Sequence, residues 1–194
     1  MRIGVYTGSF DPIHNGHIKI VKTVLDRKLV DRILIFPSGD YWDKKVGLSS
    51  EERTELIKFS FKYRIAKDRY EADSELGKLP YTYLLFRELK KRYPDDEFYF
   101  ILGGDNILKF TEWKNYKELL ENGFIVVNRN VDDLEDRLKK LQPRSYVIVP
   151  VEGISDISST FIRENMDDYS RIKKMISRRE YEYILDLKKK KREA

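Results

Sequence analysis

The chain's 194 residues and 41% hydrophobic content suffice for one ordinary domain with a full core. It has no apolar run of the roughly 20 residues that a membrane helix needs, and strand pattern begins almost at Met1, so no membrane partner, no signal peptide and a cytoplasmic protein are expected. The absence of cysteine excludes disulfides, thiol catalysis and zinc-thiolate chemistry, while the net charge of +5 is matched by the basic run Lys188 to Arg192, which leaves a near-neutral body and no expectation of nucleic acid as a partner.

In chain order, Ile3 to Tyr6 reads as a buried parallel strand, and Ile18, Val21, Val24 and Leu25 recur at helical spacing. Between them lies Thr7-Gly8-Ser9-Phe10-Asp11-Pro12-Ile13-His14-Asn15-Gly16-His17. A glycine-bearing turn from a strand into a helix start is suited to anions, because the first helical N–H groups lack partners and carry partial positive charge. Both histidines of the chain, His14 and His17, fall in this turn, with Gly16 between them. Imidazoles at this spacing are expected to face a bound phosphate together and to donate to it, more strongly when protonated. Two histidines with no third clustered ligand fall short of a metal site, so none is expected.

A second strand, Arg32 to Phe36, precedes a turn-rich loop that ends in Lys44 and Lys45, followed by the capping box Ser49-x-x-Glu52. Tyr81-Thr82 precedes a helix with core-facing Leu85, Phe86 and Leu89, and Thr82 is expected as its N-cap. After the strand Phe98 to Leu102, Gly103-Gly104 permits a tight turn. Asp105 there is placed either to accept from a ribose or to cap the next helix, and Trp113 offers a flat face for a planar ring. Strands follow at Phe124 to Val127 and Tyr146 to Val149. Ser158, Ser159 and Thr160 then open a helix with no acid three residues on, which leaves their hydroxyls available to an anion, with Arg163 one turn further. Tyr169 to Leu187 reads as one or two C-terminal helices with Ile172, Met175 and Ile176 as an apolar stripe.

Alternating strands and helices predict an α/β fold: a Rossmann-like, doubly wound parallel sheet of five or six strands with helices on both faces. Residues 1–187 are expected to form a single domain and 188–194 a solvated basic tail. Ligands in such sheets bind beyond the carboxyl ends of the strands, where these turns fall.

Gly8-Ser9-Phe10-Asp11-Pro12-Ile13-His14-Asn15-Gly16-His17 closely resembles the Gly-Ser-Phe-Asp-Pro-x-His-x-Gly-His signature of the HxGH nucleotidyltransferase superfamily, and within it the nicotinate/nicotinamide mononucleotide adenylyltransferases. Gly103 to Trp113 is similar to that family's Gly-x-Asp-x-Leu segment ending in Trp, and Ile157-Ser158-Ser159-Thr160-Phe161-Ile162-Arg163 to its second signature. Pantetheine-phosphate adenylyltransferases usually have threonine where His14 stands and lysine where Arg163 stands. The resemblance implies ATP at Gly8, Ser9, Phe10, His14, Gly16, His17, Gly103, Asp105, Ile157, Ser158, Ser159, Thr160 and Arg163. It implies the pyridine mononucleotide at Ser9, Phe10, Lys44, Lys45, Tyr81, Thr82, Trp113 and Arg129, with catalysis by His14, His17, Lys45 and Arg163 and with Mg²⁺ carried on the ATP phosphates. A homo-oligomer is left open.

The expected reaction is adenylyl transfer from ATP to nicotinate mononucleotide, with alignment and charge neutralisation as the source of rate. The alternatives are nicotinamide mononucleotide as acceptor, a pantetheine-phosphate or cytidylyl-type transferase, and a nucleotide-binding regulator without turnover. The Gly-Asp ahead of an aromatic and a lysine run looks like nicotinamide-preferring relatives, and Leu85 stands where bacterial members usually carry a second threonine.

Overall fold

The computed structural model describes residues 1–39, 47–129 and 131–193. Strands β1 (Arg2–Gly8) and β2 (Arg32–Pro37) flank helix α1 (Asn15–Asp26). They are followed by α2 (Ser50–Phe61), the short edge strand β3 (Tyr70–Ala72), α3 (Ser74–Gly77) and α4 (Thr82–Arg92). Next come β4 (Glu97–Gly103), α5 (Gly104–Leu108), α6 (Tyr116–Leu119), β5 (Gly123–Asn128), α7 (Leu134–Leu141) and β6 (Ser145–Pro150). The chain closes with α8 (Ser159–Glu164), α9 (Tyr169–Ile172) and α10 (Arg178–Glu193).

The strands pair in the order β3-β2-β1-β4-β5-β6, all of them parallel. The chain therefore winds outward from β1 to β3 and returns to lay β4 on the other side of β1. That reversal opens a crevice beyond the carboxyl ends of β1 and β4, which is where a ligand site belongs in this architecture. The expected doubly wound parallel sheet is what forms.

Alternation along the strands divides the core into two layers. Ile3 and Val5 of β1 join Leu34, Phe86, Leu89, Phe100, Phe124 and Leu138 on the face covered by α4 and α7. Tyr6 joins Val21, Val24, Ile33, Ile57, Phe61, Ile172, Ile176 and Ile184 on the opposite face, under α1, α2, α9 and α10. Each such side chain taken from water stabilises the fold by roughly 1.5–3 kcal/mol. The expected burial of Leu85, Phe86 and Leu89 on α4, and of Ile172 and Ile176 in the C-terminal segment, is observed.

Two local expectations change, and the structure adds a strand. β3 carries no apolar run, because it is an edge strand of three residues with only Ala72 buried. Thr82 is the first residue of α4 rather than its cap; the N-cap is Tyr81, in extended backbone and without a side-chain capping bond. The basic run from Lys188 continues α10 instead of fraying, held by pairs such as Lys190–Asp186 at 2.7 Å and Lys191–Glu52 at 2.6 Å. Glu52 in turn completes the predicted capping box with Ser49. No helix among the described residues is long and apolar enough to cross a membrane.

Candidate active site

A cavity of about 890 Å³ fills the crevice at the strand-order reversal, near the upper end of the ~300–1,000 Å³ typical of small-molecule sites. Its walls come from loops distant in sequence. Gly8, Ser9, Phe10 and His17 come from the turn after β1, Ser38 and Gly39 from the end of β2, and Tyr81 and Thr82 from the start of α4. Gly103 and Asp105 follow β4, Trp113 follows the turn beyond α5, and Arg129 follows β5.

The turn after β1 is built around the two histidines. His14 is the N-cap of α1: its Nδ1 accepts from the His17 backbone N–H at 3.4 Å, while His17 Nδ1 accepts from the His14 N–H at 3.3 Å. This is a reciprocal capping box made with imidazoles in place of hydroxyl and carboxylate. The rings stack at 3.6 Å, and Phe10 meets His17 edge-on at 5.0 Å. Gly16 lets the backbone pass close to the ring, since an added Cβ would stand a tight 3.0 Å from His14 Cε1. Because both Nδ1 atoms accept, each ring carries its proton on Nε2 and is neutral.

The electrostatics agree. Burial holds His14 down to about pH 3, with the charge of Arg129 adding to the effect. Burial, then His14 and Arg129, hold His17 well below the ordinary histidine value. The donors expected of this pair are thus neutral Nε2–H groups rather than the stronger protonated form. The pair also separates in role: His17 lines the cavity, whereas His14, 2% exposed, is set behind it.

A histidine that is neutral when folded but ordinary when unfolded couples stability to pH. The unfolded chain takes up the proton first as pH falls, so the stability is complete above about pH 6.5. Below that, His14 alone removes roughly 1.4 kcal/mol per pH unit until its folded value is reached. Urea midpoints should therefore fall measurably from pH 7.5 to pH 5.5, and equal midpoints would show that the imidazoles charge within the fold.

The late motif docks on the first one. Ser158 Oγ caps α8 by accepting from Phe161 N–H at 3.1 Å, and Ser159 Oγ donates to the Pro12 carbonyl at 2.9 Å. Arg163 donates to the Asp11 carbonyl and to Thr160 Oγ1, the latter at 3.1 Å. Of the hydroxyls expected to be available for an anion, that of Ser159 is committed to the Pro12 carbonyl, a partner that local spacing does not reveal, while those of Ser158 and Thr160 accept from N–H groups and keep their own hydrogens to donate. Arg163 lies beside the histidine turn rather than pointing into the 890 Å³ cavity. Ile157 sits in the turn leading to α8, its N–H on the Ile154 carbonyl at 3.3 Å.

Asp105 lies in the first turn of α5, whose N-cap is Gly103, so it does not cap the helix and is exposed to the cavity. Trp113 is held at the rim by stacking on Phe110 at 5.3 Å and by an edge contact with Phe100 at 6.0 Å. Tyr81 is exposed and Thr82 half-buried, both beside the uncapped start of α4. Lys44 and Lys45 lie outside the described residues.

Two structural anchors have partners that local spacing in the sequence does not reveal. Arg53, 1% exposed, donates to the carbonyls of Ser9 at 2.6 Å and Ser38 at 2.8 Å, and its Nε to Leu48 at 3.1 Å. The Asp11 carboxylate accepts from the N–H groups of Gly47 at 2.7 Å and Leu48 at 3.1 Å. Arg53 follows a capping box on an exposed-looking helix start, and only the tertiary fold makes it a clamp between two cavity-lining loops.

Residues 5–165 match the model of the cytidylyltransferase-like family. A Fusobacterium nucleatum protein named "Probable nicotinate-nucleotide adenylyltransferase" is 35% identical over 196 residues, spanning 95% of this chain and 100% of that one. A Flavobacterium johnsoniae protein of the same name is 29% identical over 187 residues, with 95% and 96% covered. Among solved structures, Plasmodium falciparum nicotinic acid mononucleotide adenylyltransferase complexed with NaAD superposes with a TM-score of 0.84 at 26% identity, over 96% of this chain and 95% of that chain.

Proposed function

The chain belongs to the cytidylyltransferase-like family, and from that premise we propose that it transfers the adenylyl group of ATP to nicotinate mononucleotide, giving deamido-NAD and pyrophosphate in NAD biosynthesis. The observation that carries this reading is the lining of one cavity by three unlike elements: the phosphate turn with His17, the acid Asp105, and the aromatic wall at Trp113 beside the start of α4. Those are the parts that a phosphate, a ribose and a pyridine ring each require. Residues 1–187 act as one nucleotidyltransferase domain in this reading.

An oxygen of the mononucleotide's phosphate attacks the α-phosphorus of ATP. A P–O bond forms there as the bond to the β-phosphate oxygen breaks, and pyrophosphate leaves. The monoester, with a second pKa of about 6, is largely dianionic at neutral pH, so a general base would add little. The protein's work is alignment and the neutralisation of charge on the transferring group. His17 donates its Nε2–H to an α-phosphate oxygen, with Gly8, Ser9 and Phe10 shaping the turn, and His14 holds the His17 ring in that tautomer. Asp105 accepts from a ribose hydroxyl. Arg163 and the start of α8 take the leaving pyrophosphate, Arg163 exchanging its carbonyl partner for phosphate oxygens. Mg²⁺ enters as part of the substrate, on the ATP phosphates; among the described residues no three or more His, Asp or Glu side chains are grouped to hold a metal.

The preference for nicotinate rests on charge. Tyr81 gives α4 no side-chain cap, so the partly positive helix start faces the cavity, with Lys114 and Arg129 on the same walls. A carboxylate gains from all of these, whereas a carboxamide brings no charge to pair with them. Pyrophosphate release measured with ATP or CTP, paired with nicotinate mononucleotide, nicotinamide mononucleotide or phosphopantetheine, tests the reading. The expected result is at least a tenfold advantage in kcat/KM for ATP with nicotinate mononucleotide. Turnover only with phosphopantetheine or with CTP would overturn the assignment.

A further inference from the structure

One buried polar group of the cavity carries none of the roles assigned to His17, Asp105 and Arg163. Tyr6 sits at the centre of the sheet, in register with Ile35 of β2 and Ile101 of β4, on the strand that leads into the phosphate turn. Its ring meets Phe10 edge-on at 5.1 Å and His17 at 6.3 Å. The side chain is 8% exposed, and it lines the cavity. Its hydroxyl makes no hydrogen bond to the described residues. Nor is it a sealed, unpartnered atom; among the described residues those are Arg32 Nε and Ser60 Oγ. The hydroxyl therefore reaches the cavity.

A phenylalanine would fill the same place in the apolar layer, so packing does not call for the hydroxyl, which presents to the cavity a polar group that no described residue bonds. The hydroxyl is therefore placed to bond a ligand held in the cavity. Burial, opposed by Arg129 and aided by Asp105, keeps the phenol protonated throughout the physiological range, so it is a neutral O–H donor. The groups electrostatically coupled to it, Asp105 and Arg129, are the ones assigned here to a ribose and to the mononucleotide, and His17 faces the phosphate. We propose that the Tyr6 hydroxyl is a further substrate-binding group, donating to a ribose-phosphate oxygen of a nucleotide held between His17 and Asp105. The proposal rests on the adenylyl-transfer reading and deepens it.

Such an oxygen belongs either to ATP or to the mononucleotide, and two arms of one experiment separate them. Calorimetric titrations of the full-length wild type and Tyr6→Phe are run with a non-hydrolysable ATP analogue and, separately, with nicotinate mononucleotide, alongside steady-state kinetics and thermal melts without ligand. The expected result is a loss of about fivefold to twentyfold in affinity for one of the two nucleotides, as one hydrogen bond to a charged or polar oxygen implies. The KM of that nucleotide rises by a similar factor with little change in kcat. The melting temperature stays equal, because the hydroxyl bonds no described residue and the ring keeps its contacts with Phe10 and His17. A purely structural role for Tyr6 would lower the melting temperature and weaken both nucleotides alike, and that pattern overturns the proposal. Unchanged affinities for both overturn it too, while leaving the adenylyl-transfer reading intact. A wild type that binds neither nucleotide sinks both.

Discussion

Replacing His17 with alanine is expected to lower kcat by about 10²–10³-fold while the affinity for the mononucleotide changes by no more than about threefold. The loss is that of a preorganised donor aimed at charge that grows only as the α-phosphorus is attacked, so it falls on the rate rather than on binding. Alanine also removes the Nδ1 acceptor of the His14 N–H and the stacked ring 3.6 Å above His14, so part of the effect is structural. His17→Asn separates the two. Its Oδ1 can take the place of Nδ1 in the capping box, while nothing replaces the distal Nε2–H. That variant is expected to keep the wild-type urea midpoint and still lose the rate. Recovery of wild-type kcat in His17→Asn would show that the ring serves only to build the turn. Because both imidazoles are neutral, kcat should not rise on acidification from pH 8 to pH 6. A rise would mean that a charged histidine does the work.

The sheet and its ligand end were legible because β1, β2, β4 and β5 are nearly continuous apolar runs, buried on both faces, and such runs announce themselves locally. The capping box at Ser49 and Glu52 was legible for the same reason, since its partners are three residues apart. β3 was not, because an edge strand with one buried side chain has no pattern to read. The hydroxyl of Ser159 read as available because the partner that takes its hydrogen, the Pro12 carbonyl, is set by how α8 meets the turn after β1. His14 and His17 were recognisable as a pair, but their protonation depends on burial and on Arg129, which arrives from β5. Tyr6 was counted in the apolar run, and its hydroxyl gained meaning only when the cavity appeared beside it. Local spacing thus reported which groups gather at the site, while the state of each group was decided by segments remote in sequence.

Arg53→Met is expected to cost on the order of 3 kcal/mol of stability, a large effect for a residue outside the cavity wall. The methionine keeps much of the buried stem but none of the donors. The Ser9 and Ser38 carbonyls then lose guanidinium bonds of 2.6 and 2.8 Å at a place where the arginine is 1% exposed. Each buried carbonyl left short of a partner costs roughly 1–3 kcal/mol. Arg53→Lys recovers only part of this, because a point donor cannot reach two carbonyls and the α2 entrance at once as the planar fork does. The catalytic consequence follows from position. Ser9 and Ser38 are the cavity-lining ends of the loops after β1 and β2, and Arg53 fixes the distance between them. A displacement of about 1 Å at reacting groups can cost on the order of 10²-fold in rate, so a slack clamp is expected to lower kcat even where the variant is fully folded. Urea midpoints and single-turnover rates at a temperature well below the variant's transition measure the two effects separately. If Arg53→Met melts like the wild type, the carbonyl bonds of the guanidinium contribute little. If it is destabilised but turns over at the wild-type rate when folded, the clamp supports the fold and leaves the geometry of the transfer to other residues.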